Sequence, residues 1–156
     1  MVRSRAHITE ARPDSSDALA LIAELDAQLG SRGYPQQSRH GYSVQKLLRE
    51  AVAFFVVHYD GASAACAGVQ LYGVEYAEVK RMYVQPAFRG IGLGKLMLNH
   101  LAEYARQRGV TLLRLETGIY ELAAIGLYEG FGFRRRLPFG EYRDDSFSLY
   151  YEKNLG

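Results

Sequence analysis

The sequence predicts an α/β chain of the mixed α+β kind, with a central mixed β-sheet of six to seven strands flanked by about four helices. Three observations carry that expectation. Apolar runs that suit strands are interleaved with segments whose apolar residues recur at helical spacing. Three strands in the middle of the chain follow one another across short turns, as in an antiparallel meander. A strand, a glycine turn, a long helix and another strand then succeed each other, which is the order of a parallel crossover. At 156 residues and 48% hydrophobic, the chain suits one well-filled core and is short for two, so a single domain over residues 1–156 is expected.

Each element has its own signal. Residues 7–11 read as a short strand. Asp14 then precedes a helix in which Ala18, Leu21, Ile22, Leu25 and Leu29 share one face and Gly30 marks the end. A polar loop covers residues 31–42, after which Ser43 can cap a short helix carrying Val44, Leu47 and Leu48. Residues 53–59 form a nearly continuous apolar strand closed by Asp60-Gly61. Residues 64–72 and 76–84 continue the meander across a turn at Gly73. Leu93, Met97, Leu101, Tyr104 and Ala105 then define one face of a helix over residues 93–108 that ends at Gly109. Residues 111–115 read as the parallel partner strand and residues 121–131 as a helix stopped at Gly132. Residues 133–137 and 146–152 read as two closing strands.

The composition narrows the function classes. Nineteen basic and seventeen acidic side chains give a formal charge of +2, too little for a broad cationic field, so no nucleic-acid partner is expected. No apolar run approaches the ~20 residues needed to span a bilayer, and the basic residues 1–7 precede no apolar core of the signal-peptide type. A cytoplasmic location with no membrane partner is the default expectation. Cys66 is the single cysteine, so it forms no internal disulfide. His7, His40, His58 and His100 lack ligand spacing, so no metal is expected.

The chemistry concentrates in Arg89-Gly90-Ile91-Gly92-Leu93-Gly94-Lys95, between a strand and a helix. Glycines allow a tight turn whose successive N–H groups converge on one anion, and the helix N-terminus behind them carries partial positive charge. Arg89 and Lys95 add full charges suited to a diphosphate. Two other glycine motifs do not fit. A P-loop requires a glycine where Arg89 stands and a hydroxyl where Leu96 follows Lys95, and Gly90, Gly92 and Gly94 lack the dinucleotide Gly-x-Gly-x-x-Gly spacing.

That run fits the Arg/Gln-x-x-Gly-x-Gly/Ala pattern for coenzyme A and resembles the GNAT superfamily of N-acetyltransferases. Ala124 to Phe133 resembles the same family's Ala-x-x-Leu-Tyr-x-x-x-Gly-Phe segment. The resemblance covers about three quarters of the chain. It implies a GNAT fold and acetyl-CoA as cosubstrate, with transfer to a primary amine of a small molecule or peptide by direct attack in a ternary complex. It implies further that the backbone of Met82, Tyr83 and Val84 holds the pantetheine arm, that Arg89 to Lys95 bind the diphosphate, and that Tyr128 is the general acid. Glu78 stands eleven residues before Arg89, as the base does in histone-acetylating members, with Glu75 and Glu116 in reserve. Glu121 departs from the family's frequent Asn, which normally contacts pantetheine.

A base is needed because a lysine-like amine of pKa ~10.4 is only about 0.04% neutral at pH 7. The acceptor region implied by the resemblance lies near residues 34–42 and 137–142. There Arg39 or His40 could hold a carboxylate, while Tyr34, Phe139 and Tyr142 could wall an amine pocket; the alternative is that these loops cover the core or make a dimer contact. Exposed edge strands leave room for a homodimer. Arg134-Arg135-Arg136 reads as a solvated strand end and Cys66 as a buried small side chain. The rival reading of the whole chain is a non-catalytic coenzyme A-binding sensor or partner module, and a nucleotide-binding protein using the same cradle stands behind it.

Overall fold

Seven strands form one sheet in the order β1-β2-β3-β4-β5-β7-β6, in a computed structural model that describes residues 5–156. Residues 1–4 of the basic N-terminal stretch lie outside the described residues. In chain order the elements are β1 (Ala6–Glu10), α1 (Ser16–Gly30), α2 (Val44–Arg49), β2 (Ala53–Tyr59), β3 (Ala62–Tyr72) and β4 (Tyr76–Val84). They continue with α3 (Leu93–Gln107), β5 (Leu112–Gly118), α4 (Leu122–Phe131), β6 (Arg134–Arg136) and β7 (Ser148–Asn154). One-turn 3-10 helices at Gln36–Ser38 and Pro86–Phe88 interrupt two of the loops.

The apolar run in β2 is continuous because that strand is buried on both faces. Phe54 and Val56 pack with Leu21, Ile22, Leu25 and Leu47 beneath α1 and α2, while Phe55 and Val57 join Met97, Leu98 and Leu101 of α3 on the opposite face. The sheet is therefore the middle of three layers. Truncating a fully buried α3 residue such as Leu101 to Ala should cost ~2–5 kcal/mol through lost transfer energy and the residual cavity.

Capping follows the local chemistry with one correction. Ser43 caps α2, accepting from the Lys46 N–H at 3.1 Å. Asp14 does not cap α1. Its carboxylate is taken by Arg12 at 2.9 and 3.0 Å, and Ser15 accepts from the Ala18 N–H at 3.3 Å instead. Strand β5 also outruns the expected residues 111–115, because Glu116, Thr117 and Gly118 continue the ladder with Tyr150, Leu149 and Ser148 of β7.

The feature that makes the site is a split in the sheet. Strands β4 and β5 are parallel but pair only at Ala77/Leu113 and Glu78/Arg114. On the other side of β4, its register with β3 shifts between Cys66 and Gly68. Arg81, opposite that shift, adopts φ 51°, a left-handed conformation costly for a side-chain-bearing residue. The bulge turns β4 away from β5, so the two strands diverge toward their C-terminal ends.

Candidate active site

The split opens a cleft of about 400 Å³ between β4, β5, the α3 N-terminus, α4 and the loop after α1. Along one wall, residues 79–84 of β4 have no ladder partner in β5, leaving backbone groups available to an extended ligand. Met82 and Val84 lean onto the core beneath α3, and Tyr83 points to the opposite face, where its hydroxyl donates to Glu24 at 3.1 Å. All three residues line the cleft.

The glycine turn closes its end. Gly90 and Gly92 have φ of 81° and 92°, values that side chains tolerate poorly. Gly92 is the N-cap of α3 and carries no side chain to cap the first-turn N–H groups, which remain free to bind an anion. Gly94 lines the cleft and also serves packing. It is helical and buried, and an added Cβ would stand 2.6 Å from a methyl of Leu127, so it lets α4 approach α3. Arg89 is braced for the anion site: its Nε donates to the Val84 carbonyl at 2.8 Å and its terminal nitrogen to Gln28 at 3.0 Å. Leu93 and Lys95 also line the cleft, whereas the exposed Ile91 side chain does not. These features fit a diphosphate with an extended arm.

Tyr128 reaches the cleft from α4. The residue is 5% exposed and its hydroxyl has no hydrogen-bond partner among the described residues. Burial, reinforced by the charges of Glu116 and Glu121, raises its pKa and keeps the phenol protonated. Glu116 of β5 lines the same cleft and accepts from the Ser148 hydroxyl at 2.8 Å. Burial pushes its carboxyl up to about 7 although the Ser148 hydrogen bond pulls the other way. Such a group is ready to take a proton near neutrality.

Glu78 is not in this cleft. It is 2% exposed, accepting from Tyr142 at 2.5 Å and pairing with Lys80 at 2.9 Å. Both carboxylate partners are needed where they are, because an unpaired buried charge is costly. Lys80 in turn lies 3.9 Å from the Tyr42 ring centroid, so the whole cluster is a structural plug at the apex of the split. Phe139 and Tyr142 belong to that aromatic plug, packed against each other at 5.1 Å, and neither lines the cleft. Glu78, Phe139 and Tyr142 thus stand beside the cleft and not on its wall.

Tyr34 and Arg39 do line it, on the loop after α1. Arg39 donates to the Tyr34 carbonyl at 3.3 and 3.2 Å and has no carboxylate partner among the described residues. His40 also lines the cleft, held 3.2 Å from Asp145. Cys66 is fully buried, and burial pushes its thiol up to about 12, which leaves no thiolate for nucleophilic chemistry. No group of three or more metal-ligating side chains occurs among the described residues, and none of their helices is long and apolar enough to cross a membrane.

The sequence reading missed Gln28, Arg32 and Arg81. Gln28 and Arg32 sit on and just beyond α1, with no motif around them. Arg81 is concealed in a strand, and its side chain is buried against Asp26 and the backbone of Gly41, where any side chain would collide with the guanidinium.

Comparison with known proteins agrees with this geometry. Residues 19–133 match the model of the Acetyltransferase (GNAT) family. A protein named IAA acetyltransferase from Azospirillum brasilense is 39% identical over 152 residues, covering 96% of this chain and 99% of that one. The uncharacterized N-acetyltransferase YsnE of Bacillus subtilis is 31% identical over 123 residues, 78% of this chain and 82% of its own. Among solved structures, a Klebsiella pneumoniae protein provisionally designated an acyl-CoA N-acyltransferase superimposes with a TM-score of 0.81 at 34% identity, covering 97% of this chain and 98% of that one. The PaiA N-acetyltransferase of Thermoplasma acidophilum, solved with coenzyme A, shares the fold with a TM-score of 0.76 at 18% identity over 96% of this chain and 98% of its own.

Proposed function

This chain belongs to the acetyltransferase (GNAT) family and is an acetyl-CoA-dependent N-acetyltransferase, and on that premise we propose that Glu116 and Tyr128 are its general base and general acid. Acetyl-CoA supplies the acetyl group as a thioester. The N–H groups of the α3 N-terminus, with Arg89 and Lys95, bind the diphosphate, and the free β4 edge at Met82 and Val84 holds the pantetheine arm like an added strand. The acceptor is a primary amine.

The observation that carries the assignment is that these two groups face one cleft with complementary proton states. Its raised pKa lets the Glu116 carboxylate accept the ammonium proton of the acceptor, directly or through one water, while Tyr128 holds its proton for the departing thiolate sulfur. The neutral nitrogen attacks the thioester carbon, the nitrogen–carbon bond forms and the carbon–sulfur bond breaks; the thiolate takes the Tyr128 proton, and the second proton lost by the nitrogen restores the phenol, so the reaction ends with an amide and a free thiol. No covalent enzyme intermediate is required, consistent with the inert Cys66.

We infer further that the acceptor is a small amine that also carries a carboxylate. Arg39 is the unneutralised cation of the acceptor loop, Glu116 meets the ammonium end, and Tyr34 walls the space between. The test is a screen of paired acceptors with acetyl-CoA, such as phenylalanine against phenethylamine, reading acetylated product by mass. Preference for the carboxylate-bearing member, lost in Arg39→Ala, supports this reading. Equal turnover of both members would remove the carboxylate, and transfer to no amine would remove the catalytic assignment.

A further inference from the structure

We propose that Glu121 is a positioning residue for the acceptor loop, clamping Tyr34 so that this loop presents its groups to the acceptor. The proposal rests on the acyl-transfer reading above. Glu121 is 6% exposed and lies immediately before α4, on the inner wall of the cleft. A carboxylate in such a place needs partners. One of its oxygens accepts from the Tyr34 hydroxyl at 2.6 Å, with Arg32 3.7 Å away, and the other accepts from the Gln28 amide at 2.8 Å. Both oxygens are thus committed to α1 and to the loop that follows it.

Tyr34 is fixed from three directions. Its hydroxyl donates to Glu121 and accepts from the Tyr120 N–H at 2.9 Å. Its ring occupies space that exists only because Gly118 has no side chain, since a Cβ there would collide with the phenol. Its carbonyl then holds Arg39. Glu121 therefore sets the place of the acceptor-side cation through two intermediates, without touching an acceptor itself.

Hydrogen bonds to a charged group carry enough free energy for removal to change binding roughly tenfold or more. In Glu121→Ala the hydrogen-bonded N–H groups of Ser38 and Arg39 in the acceptor loop should exchange with deuterium at least tenfold faster, while the Kd for coenzyme A by calorimetry stays within about twofold. Where an amine is turned over, its KM should rise roughly tenfold with kcat little changed. Glu121→Gln, which keeps an oxygen for Tyr34, should restore part of both effects. Tyr34→Phe provides the second variant should the alanine fold poorly, and it should loosen the same loop. Unchanged loop exchange in both variants overturns the proposal, as does a coenzyme A Kd weakened tenfold or more, which would make Glu121 a cofactor contact. Loop exchange and coenzyme A binding need no acceptor, so a failure of the amine reading would show separately, as absent transfer with the clamp intact.

Discussion

The half of the cleft proposed for the cofactor is made from one continuous run of chain, residues 82–95, and offers mainly backbone groups, whereas the half proposed for the acceptor is assembled from side chains of α1, the loop after it, β5 and the start of α4. The first kind of site depends on where glycines permit the chain to turn. The second depends on long-range packing, because Glu116, Glu121 and Tyr34 meet only after the sheet has formed. Substitutions in the two halves should therefore fail differently: in the cradle they alter cofactor affinity, and in the acceptor half they alter turnover or acceptor KM at constant cofactor affinity.

The largest departure from that division is expected at Tyr128, whose side chain stands where both halves meet. Tyr128→Phe should lower kcat about 100-fold or more, the scale of a lost general acid, and leave the coenzyme A Kd unchanged in calorimetry. A parallel loss of cofactor affinity would show that the hydroxyl serves binding. Next in size is Glu116→Gln, expected to lower kcat about 100-fold at pH 8. The sign follows from the raised pKa: the base works when deprotonated, so wild-type kcat should rise with pH through about 7 and level off a unit or more above it, while the variant lacks that rise.

Within the cradle, Arg89→Ala should weaken coenzyme A binding about tenfold, with less effect at high salt, because a charge-assisted contact is lost and screening diminishes what remains. The glycines sharpen the contrast further. Gly92→Ala meets open space but is strained at φ 92°, so it should cost about 1–2 kcal/mol and weaken coenzyme A. Gly94→Ala has ordinary helical geometry but presses on Leu127, so a similar loss of about 1–3 kcal/mol should appear as a lower Tm, with coenzyme A affinity less affected. Thermal melts and calorimetry on the two variants separate turn chemistry from helix packing.

The difference between the halves also explains what the sequence could reveal. The cradle is legible because its determinants are adjacent: Gly90, Gly92 and the helix start announce the turn without reference to the rest of the fold. Helices and strands read well where periodicity was strong, as in α3 and β2. Glu78 was read from its spacing to Arg89, yet chain separation does not say which way a side chain points beside a bulge. Its carboxylate is directed into the plug with Lys80 and Tyr142. Glu116 stands in reserve behind Glu78 in the sequence, one residue past the expected end of β5; pairing of residues 116–118 with Tyr150, Leu149 and Ser148 extends the strand and carries the carboxylate to the cleft. Arg81 gave no signal at all, since a left-handed conformation at a non-glycine residue is imposed by the tertiary structure.

The account rests most heavily on the proton-transfer pair, and the pH dependence of kcat at saturating amine and acetyl-CoA tests it most directly in wild type, Glu116→Gln and Glu78→Gln. The predicted result is a rise through a pKa near 7 that persists in Glu78→Gln and disappears in Glu116→Gln. A rise that survives in Glu116→Gln and vanishes in Glu78→Gln would contradict it and return the base to the buried carboxylate at the apex of the split.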